Sequence, residues 1–184
     1  MKRSKVETLV FSALLLTLGL VLPFLTGQIP QVGSMLLPMH LPVLLCGLIC
    51  GWKYGLAVGL IMPVMRSFLF GMPPMFPTAI SMAVEMAVYG AVSGWIYSHC
   101  HRQCVAALYR SLLIAMVAGR IAWGGMQIVL LGISGGAFTW QMFMAGAFLN
   151  AIPGIILQLT LIPILMVALD RAGIVRFDNT QQKG

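Results

Sequence analysis

Charge is scarce in this sequence. Of 184 residues only four are Asp or Glu and eleven are Lys or Arg, 8% in all, where a soluble domain carries about a quarter. That excludes an ordinary water-soluble fold. Acid is scarcer still inside the apolar runs, where Glu85 stands alone apart from Glu7 at the very start of the first, so paired carboxylates for acid–base chemistry are missing. There is no H-E-x-x-H, no phosphate-binding G-x-x-x-x-G-K-[ST] loop and no C-x-x-C. Zinc-protease, ordinary ATP-hydrolysing and thioredoxin-like chemistry are therefore excluded. We read the chain as a non-enzyme with no cofactor and no metal. Anything it does with ATP needs a partner.

What fills the chain instead is apolar. Hydrophobic residues make up 60% and mean hydropathy is +0.97, the composition of a multi-pass membrane protein. The first apolar run lacks a small-residue cleavage site and is followed by more of the same, so it reads as a span and not a signal peptide. With roughly 17–25 residues per crossing, six spans are expected: Val6–Leu25, Pro38–Gly51, Tyr54–Phe70, Thr78–Ser98, Ala106–Leu131 and Gln141–Leu169. The second is short. The fold expected is an all-α integral membrane bundle of six transmembrane helices, one domain over residues 1–184.

The basic residues orient it. A cytoplasmic N-terminus puts Lys2, Arg3, Lys5, Lys53, Arg102, Arg110, Arg171, Arg176 and Lys183 on one side, and the opposite loops, Thr26–Leu37, Gly71–Pro77 and Gly132–Trp140, hold no Lys or Arg. The positive-inside rule then places both termini in the cytoplasm of a cell whose plasma membrane the chain spans. Charges spread over loops and ends are no nucleic-acid surface.

Two cations escape that rule, Arg66 and Arg120, each within a span. Ionisable groups at membrane depth cost at least ~2.5–3.5 kcal/mol each and tend to pair or to face a cavity. Arg66 falls near the outer end of the third span, and Arg120 near mid-membrane. Glu85 and Asn150 lie on the order of 10–14 Å below the outer surface. On the fifth span Arg120, Trp123, Gly124 and Gln127 share one face at i, i+3, i+4, i+7 spacing. A cation, an indole and an amide together suit a small organic solute with polar groups on an apolar body. The plainer alternative is a Glu85–Arg120 ion pair that joins two helices. Two cations against one acid leave a positive surplus, which points to an anionic solute, with Arg66 gripping its carboxylate. The uncharged outer loops, rich in Gly, Pro and Met, suit a cover over such a site.

Other chemistry-bearing residues have plainer readings. Cys46 and Cys50, four apart in a span, read as packing residues. His99-Cys-His-Arg-Gln-Cys104 carries metal-type ligands, but it falls in a cytoplasmic connector and reads as one.

Six spans in under 200 residues, a basic N-terminus, and the run "PMHLPVLLCGLICGWKYGLAVGLIMPVMRSFLFGMPPMFPT" resemble the substrate-binding S component of energy-coupling factor (ECF) transporters. The likeness extends from about Lys5 to Arg171 and is closest to pantothenate-type members. It implies a subunit that captures a vitamin from outside and then associates with a membrane T component and two ABC-type ATPases. It also implies a docking face of small residues on the first span. The nearest match to Ala-x-x-x-Ala is Ala13-x-x-x-Thr17. Cobalt and nickel members chelate metal through an N-terminal Met-His, whereas Met39-His40 here is internal and lacks the free amine. His40 can touch cargo from the rim. The expected cargo residues are thus His40, Arg66, Glu85, Arg120, Trp123, Gln127 and Asn150. Folate- or pyridoxine-type vitamins, a stand-alone secondary transporter and an integral-membrane metal or redox enzyme are the alternatives.

Overall fold

A computed structural model describes residues 4–25, 38–100, 104–133, 135, 139, 141, 144 and 152–175. Six α-helices occupy them: α1 Lys5–Leu25, α2 His40–Cys50, α3 Trp52–Phe70, α4 Ile80–His99, α5 Val105–Ile133 and α6 Ile152–Arg171. Among the described residues there is no strand.

Local sequence sets the helix ends. Ser4 and Glu7 open α1 with a reciprocal capping box. The Glu7 amide donates to Ser4 Oγ at 3.1 Å, and the Ser4 amide donates to the Glu7 carboxylate at 2.9 Å. A single residue, Gly51, separates α2 from α3. Its φ of 94° is open to glycine at no steric cost, so the chain reverses there at once. Gly71, with φ of 68°, ends α3 and returns its amide to the Ser67 carbonyl at 2.9 Å. Beyond the Pro-rich stretch, Met75–Ala79 forms one wide turn, in which the Ala79 amide reaches the Pro74 carbonyl at 2.9 Å.

Five of the helices are long and apolar enough to cross a bilayer; α2 is not. Its 11 residues rise about 16 Å against a hydrocarbon core of about 30 Å. The expected second span, Pro38–Gly51, is met by this short helix, which lies inside the bundle. Every α2 residue but Ile49 is buried, and α2 packs against α1, α3, α4 and α6. The expected last span, Gln141–Leu169, is met by a helix that begins at Ile152.

Glycines bring the central helices together. A Cβ added at Gly55 on α3 or at Gly90 on α4 would strike the backbone of the opposite helix, and one at Gly47 on α2 would strike the Gly90 carbonyl. Helices in lipid gain little from apolar association alone, so small residues and close backbone contact supply the packing. Around this centre Leu44, Leu108, Leu112, Ile162 and Met166 form one apolar core, and Val43, Met62 and Met86 another. Large apolar side chains such as Leu14, Phe68, Ile121 and Ile164 point outward, as a lipid solvent requires.

Gly90→Ala should therefore destabilise the bundle by about 1–3 kcal/mol. Gly125→Ala, at a position with open space around it, should be neutral or slightly stabilising. Thermal unfolding in mild detergent, followed by helical circular dichroism, compares the two.

Candidate functional site

One face of α4 carries Ser81, Glu85 and Tyr89, each four residues from the next, and all three are buried. α2 brings His40 to this face from its first turn, and α5 brings Arg120. Glu85 is 2% exposed, His40 1% and Arg120 8%. The Glu85 Oε1 atom lies 3.0 Å from Arg120 Nη1 and 3.6 Å from His40 Nε2. The His40 ring also meets the Tyr89 ring edge-on at 5.2 Å, and the Tyr89 hydroxyl lies within reach of both Glu85 and Arg120. Gly119 makes room for it: a Cβ there would strike the Tyr89 ring.

The pairing neutralises charge without completing the hydrogen bonds. Arg120 Nη1 stands at ion-pair distance from Glu85 Oε1, but no aligned hydrogen bond joins them. Five buried polar atoms of the trio have no hydrogen-bond partner: both ring nitrogens of His40, Oε1 of Glu85, and Nε and Nη2 of Arg120. Each such atom costs about 1–3 kcal/mol, more when charged. Native interiors leave few unpartnered. The unused Nε and Nη2 form one edge of the guanidinium, the edge that offers two parallel donors.

Toward the outer side a second polar link follows. Gln127 Nε2 donates to Ser81 Oγ at 3.2 Å, and Ser81 Oγ donates to the Thr78 carbonyl at 2.9 Å. That chain ties α5 to the wide turn after the Pro-rich loop. Trp123 lies half-buried on α5 between Arg120 and Gln127. Gln158 contributes a buried amide from α6.

Arg66 is elsewhere. Its Nη1 donates to the Leu20 carbonyl of α1 at 2.7 Å, and its guanidinium lies 5.3 Å and 5.6 Å from the ring centres of Phe24 and Phe70. One turn earlier Met62 seats its tip against Gly19 of α1, so this line of α3 faces α1. The structure thus gathers His40, Glu85 and Arg120, sets Trp123 and Gln127 along the same helix as Arg120, and directs Arg66 to a different seam. Asn150, the outer loop Thr26–Leu37 and residues 101–103 of the His/Cys connector lie outside the described residues. His99 places its Nδ1 2.8 Å from the Trp95 carbonyl. Ala13 and Thr17 are both exposed on α1, with Thr17 Oγ1 donating to the Ala13 carbonyl at 3.0 Å.

The chain matches the family model for the substrate-specific component of ECF transporters over residues 7–166. It belongs to that family. No curated protein and no solved structure gives a match. Membership makes this S component part of a membrane transporter, and five of its helices are long and apolar enough to cross a bilayer.

Sequence reasoning passes over Ser81 and Tyr89. The signal is present: both sit one turn from Glu85, so any helix that buries Glu85 buries them too. It expects Arg66 at the cargo, and nothing local says that this face of α3 also meets the Leu20 carbonyl of α1.

Arg66→Ala should lower the unfolding midpoint of the S component by removing a charged hydrogen bond worth about 1.5–3 kcal/mol, with Arg66→Lys recovering part. Solute titration on the folded variants divides the two roles. Unchanged affinity identifies a clasp between α1 and α3, while a loss of ~30–150-fold identifies a cargo ligand.

Proposed function

We propose that this S component captures a small organic solute, a vitamin, at the His40–Glu85–Arg120 cluster and delivers it by associating with a T component and two ABC-type ATPases. The observation that carries the reading is the buried ionisable cluster itself, in which the Nε and Nη2 edge of Arg120 makes no hydrogen bond. A purely structural ion pair gains nothing from leaving a guanidinium edge unsatisfied, whereas a binding site uses it. Trp123 and Gln127 extend the site along α5, and Asn150, just before α6 in the sequence, is kept as a further cargo residue. We take the whole chain as one membrane unit, with both termini cytoplasmic in the cell membrane.

Arg66 we assign to holding α1 on α3, because its guanidinium is committed to the Leu20 carbonyl and two phenyl rings. Pantothenate, the cargo of the members the sequence most resembles, then loses one of the two cations that favoured an anion. On α1, Ala13 and Thr17 face outward while Ser12 and Gly19 are buried. An exposed small-residue pair on a lipid-facing helix supports docking of the T component there.

Three measurements test this reading. Arg120→Ala should weaken solute binding by ~30–150-fold, the equivalent of about 2–3 kcal/mol for a lost charge-assisted contact. Ala13→Trp should abolish uptake and co-purification with the T component and ATPases while leaving binding in detergent intact; loss of binding instead would place Ala13 in the cargo site. A thiol introduced by Gln182→Cys should stay unlabelled by an impermeant reagent added outside intact cells. Labelling there would overturn the orientation.

A further inference from the structure

Resting on the cargo site proposed above, the charge balance of the cluster carries a statement about what enters it. The outer half of the chain contains three ionisable side chains besides histidine and tyrosine: Arg66, Glu85 and Arg120. The outer loops, including Thr26–Leu37 and Gly132–Trp140, hold no Asp, Glu, Lys or Arg. Arg66 is turned to α1. What remains at the cluster is one guanidinium and one carboxylate, 3.0 Å apart, whose charges cancel, with the His40 imidazole 3.6 Å from the same carboxylate oxygen. The loops named above add no Lys or Arg.

The free atoms have a pattern. Arg120 offers Nε and Nη2, two parallel donors on one edge. Beside it stand the Glu85 carboxylate, an acceptor, and the His40 ring, whose nitrogens make no aligned hydrogen bond. A second carboxylate laid on the Arg120 edge would share that guanidinium with Glu85. Two carboxylates in one desolvated site repel, and one of them resists ionisation. An uncharged planar group with adjacent acceptors and a nearby N–H or O–H meets the same atoms with no such conflict. We infer that the cargo group seated against Arg120 is an uncharged amide, lactam or ureide, not a carboxylate.

Probes in which an uncharged amide replaces a carboxylate decide it: pantothenate against its primary amide, nicotinate against nicotinamide, and biotin against biotinamide. Each is titrated calorimetrically into the full chain in mild detergent. At least one uncharged member should bind, and should bind at least tenfold more tightly than its carboxylate partner. Glu85→Gln, which leaves Arg120 uncompensated, should shift that ratio at least tenfold toward the carboxylate. Arg120→Lys, which keeps the charge but not the two-donor edge, should weaken the uncharged member. Helical circular dichroism establishes that both variants are folded. Equal or tighter binding of the carboxylate members by the parent protein overturns the inference, as does binding of no uncharged member. An uncharged member that binds the parent and both variants alike strikes instead at the placement of the cargo site.

Discussion

A carboxylate held inside a bundle whose solvent is hydrocarbon is the constraint to which the rest of this structure answers. Glu85, 2% exposed, has no water to solvate it, and an unpaired charge there is among the costliest groups a protein can bury. Two other helices must therefore bring partners to α4. Arg120 supplies the opposite charge from α5 and His40 a neighbouring ring from α2. Burial of such a pair seldom stabilises relative to a well-packed apolar substitute, while removal of one partner costs about 3–5 kcal/mol. The pair is thus weak as a source of stability and demanding as a specification. It fixes which faces of α2, α4 and α5 must meet.

Close packing turns that specification into geometry. Glycines at 47, 55 and 90 bring α2, α3 and α4 to backbone contact, which leaves little slack in the height and rotation of α4. Gly119 does the same on α5 by admitting the Tyr89 ring beside Arg120. With the helices so constrained, the atoms of Arg120 and His40 that the pairing does not use stay unused. In a looser bundle side chains would re-orient until each polar atom found a carbonyl. The unpartnered edge of Arg120 is therefore a property of the packing, not of the residue alone.

Much of this is legible in the order of the amino acids. The long apolar runs and the absence of Lys and Arg from three loops indicate the helices, and the isolation of Glu85, Arg120 and Arg66 marks the polar positions. Two things are hidden there, for different physical reasons. α2 reads as a short span, but its burial inside the bundle is hidden, because hydropathy measures what a segment avoids, water, and not what surrounds it, protein or lipid. The depth of Arg66 follows from the count along α3, whereas its direction depends on which helix lies beside that face. Met62 against Gly19 and Arg66 against Leu20 share one line of α3, and only the neighbour's identity shows that this line meets α1. The glycine spacings Gly51-x-x-x-Gly55-x-x-x-Gly59 and Gly90-x-x-x-Gly94 are readable as helix-contact signals and point to the tight centre.

The same arrangement separates two tasks that a small subunit would otherwise have to combine. α1 packs against α2 and α3, through apolar side chains, the seat of Met62 on Gly19 and the Arg66 clasp, and its outer face is open. The polar cluster lies beyond α2, among α2, α4 and α5. A perturbation at the open face of α1 must pass through α2 to reach His40, and α2 is held to α4 by backbone contact at Gly47 and Gly90. Tight packing transmits displacement well and rotation poorly. A partner pressing on α1 would therefore move His40 with α2 and α4 as a unit, while the α4–α5 contact carries the Glu85–Arg120 pair. Between α4 and α5 the polar links are that ion pair and the Gln127–Ser81 bond, beside the close seat of the Tyr89 ring on Gly119.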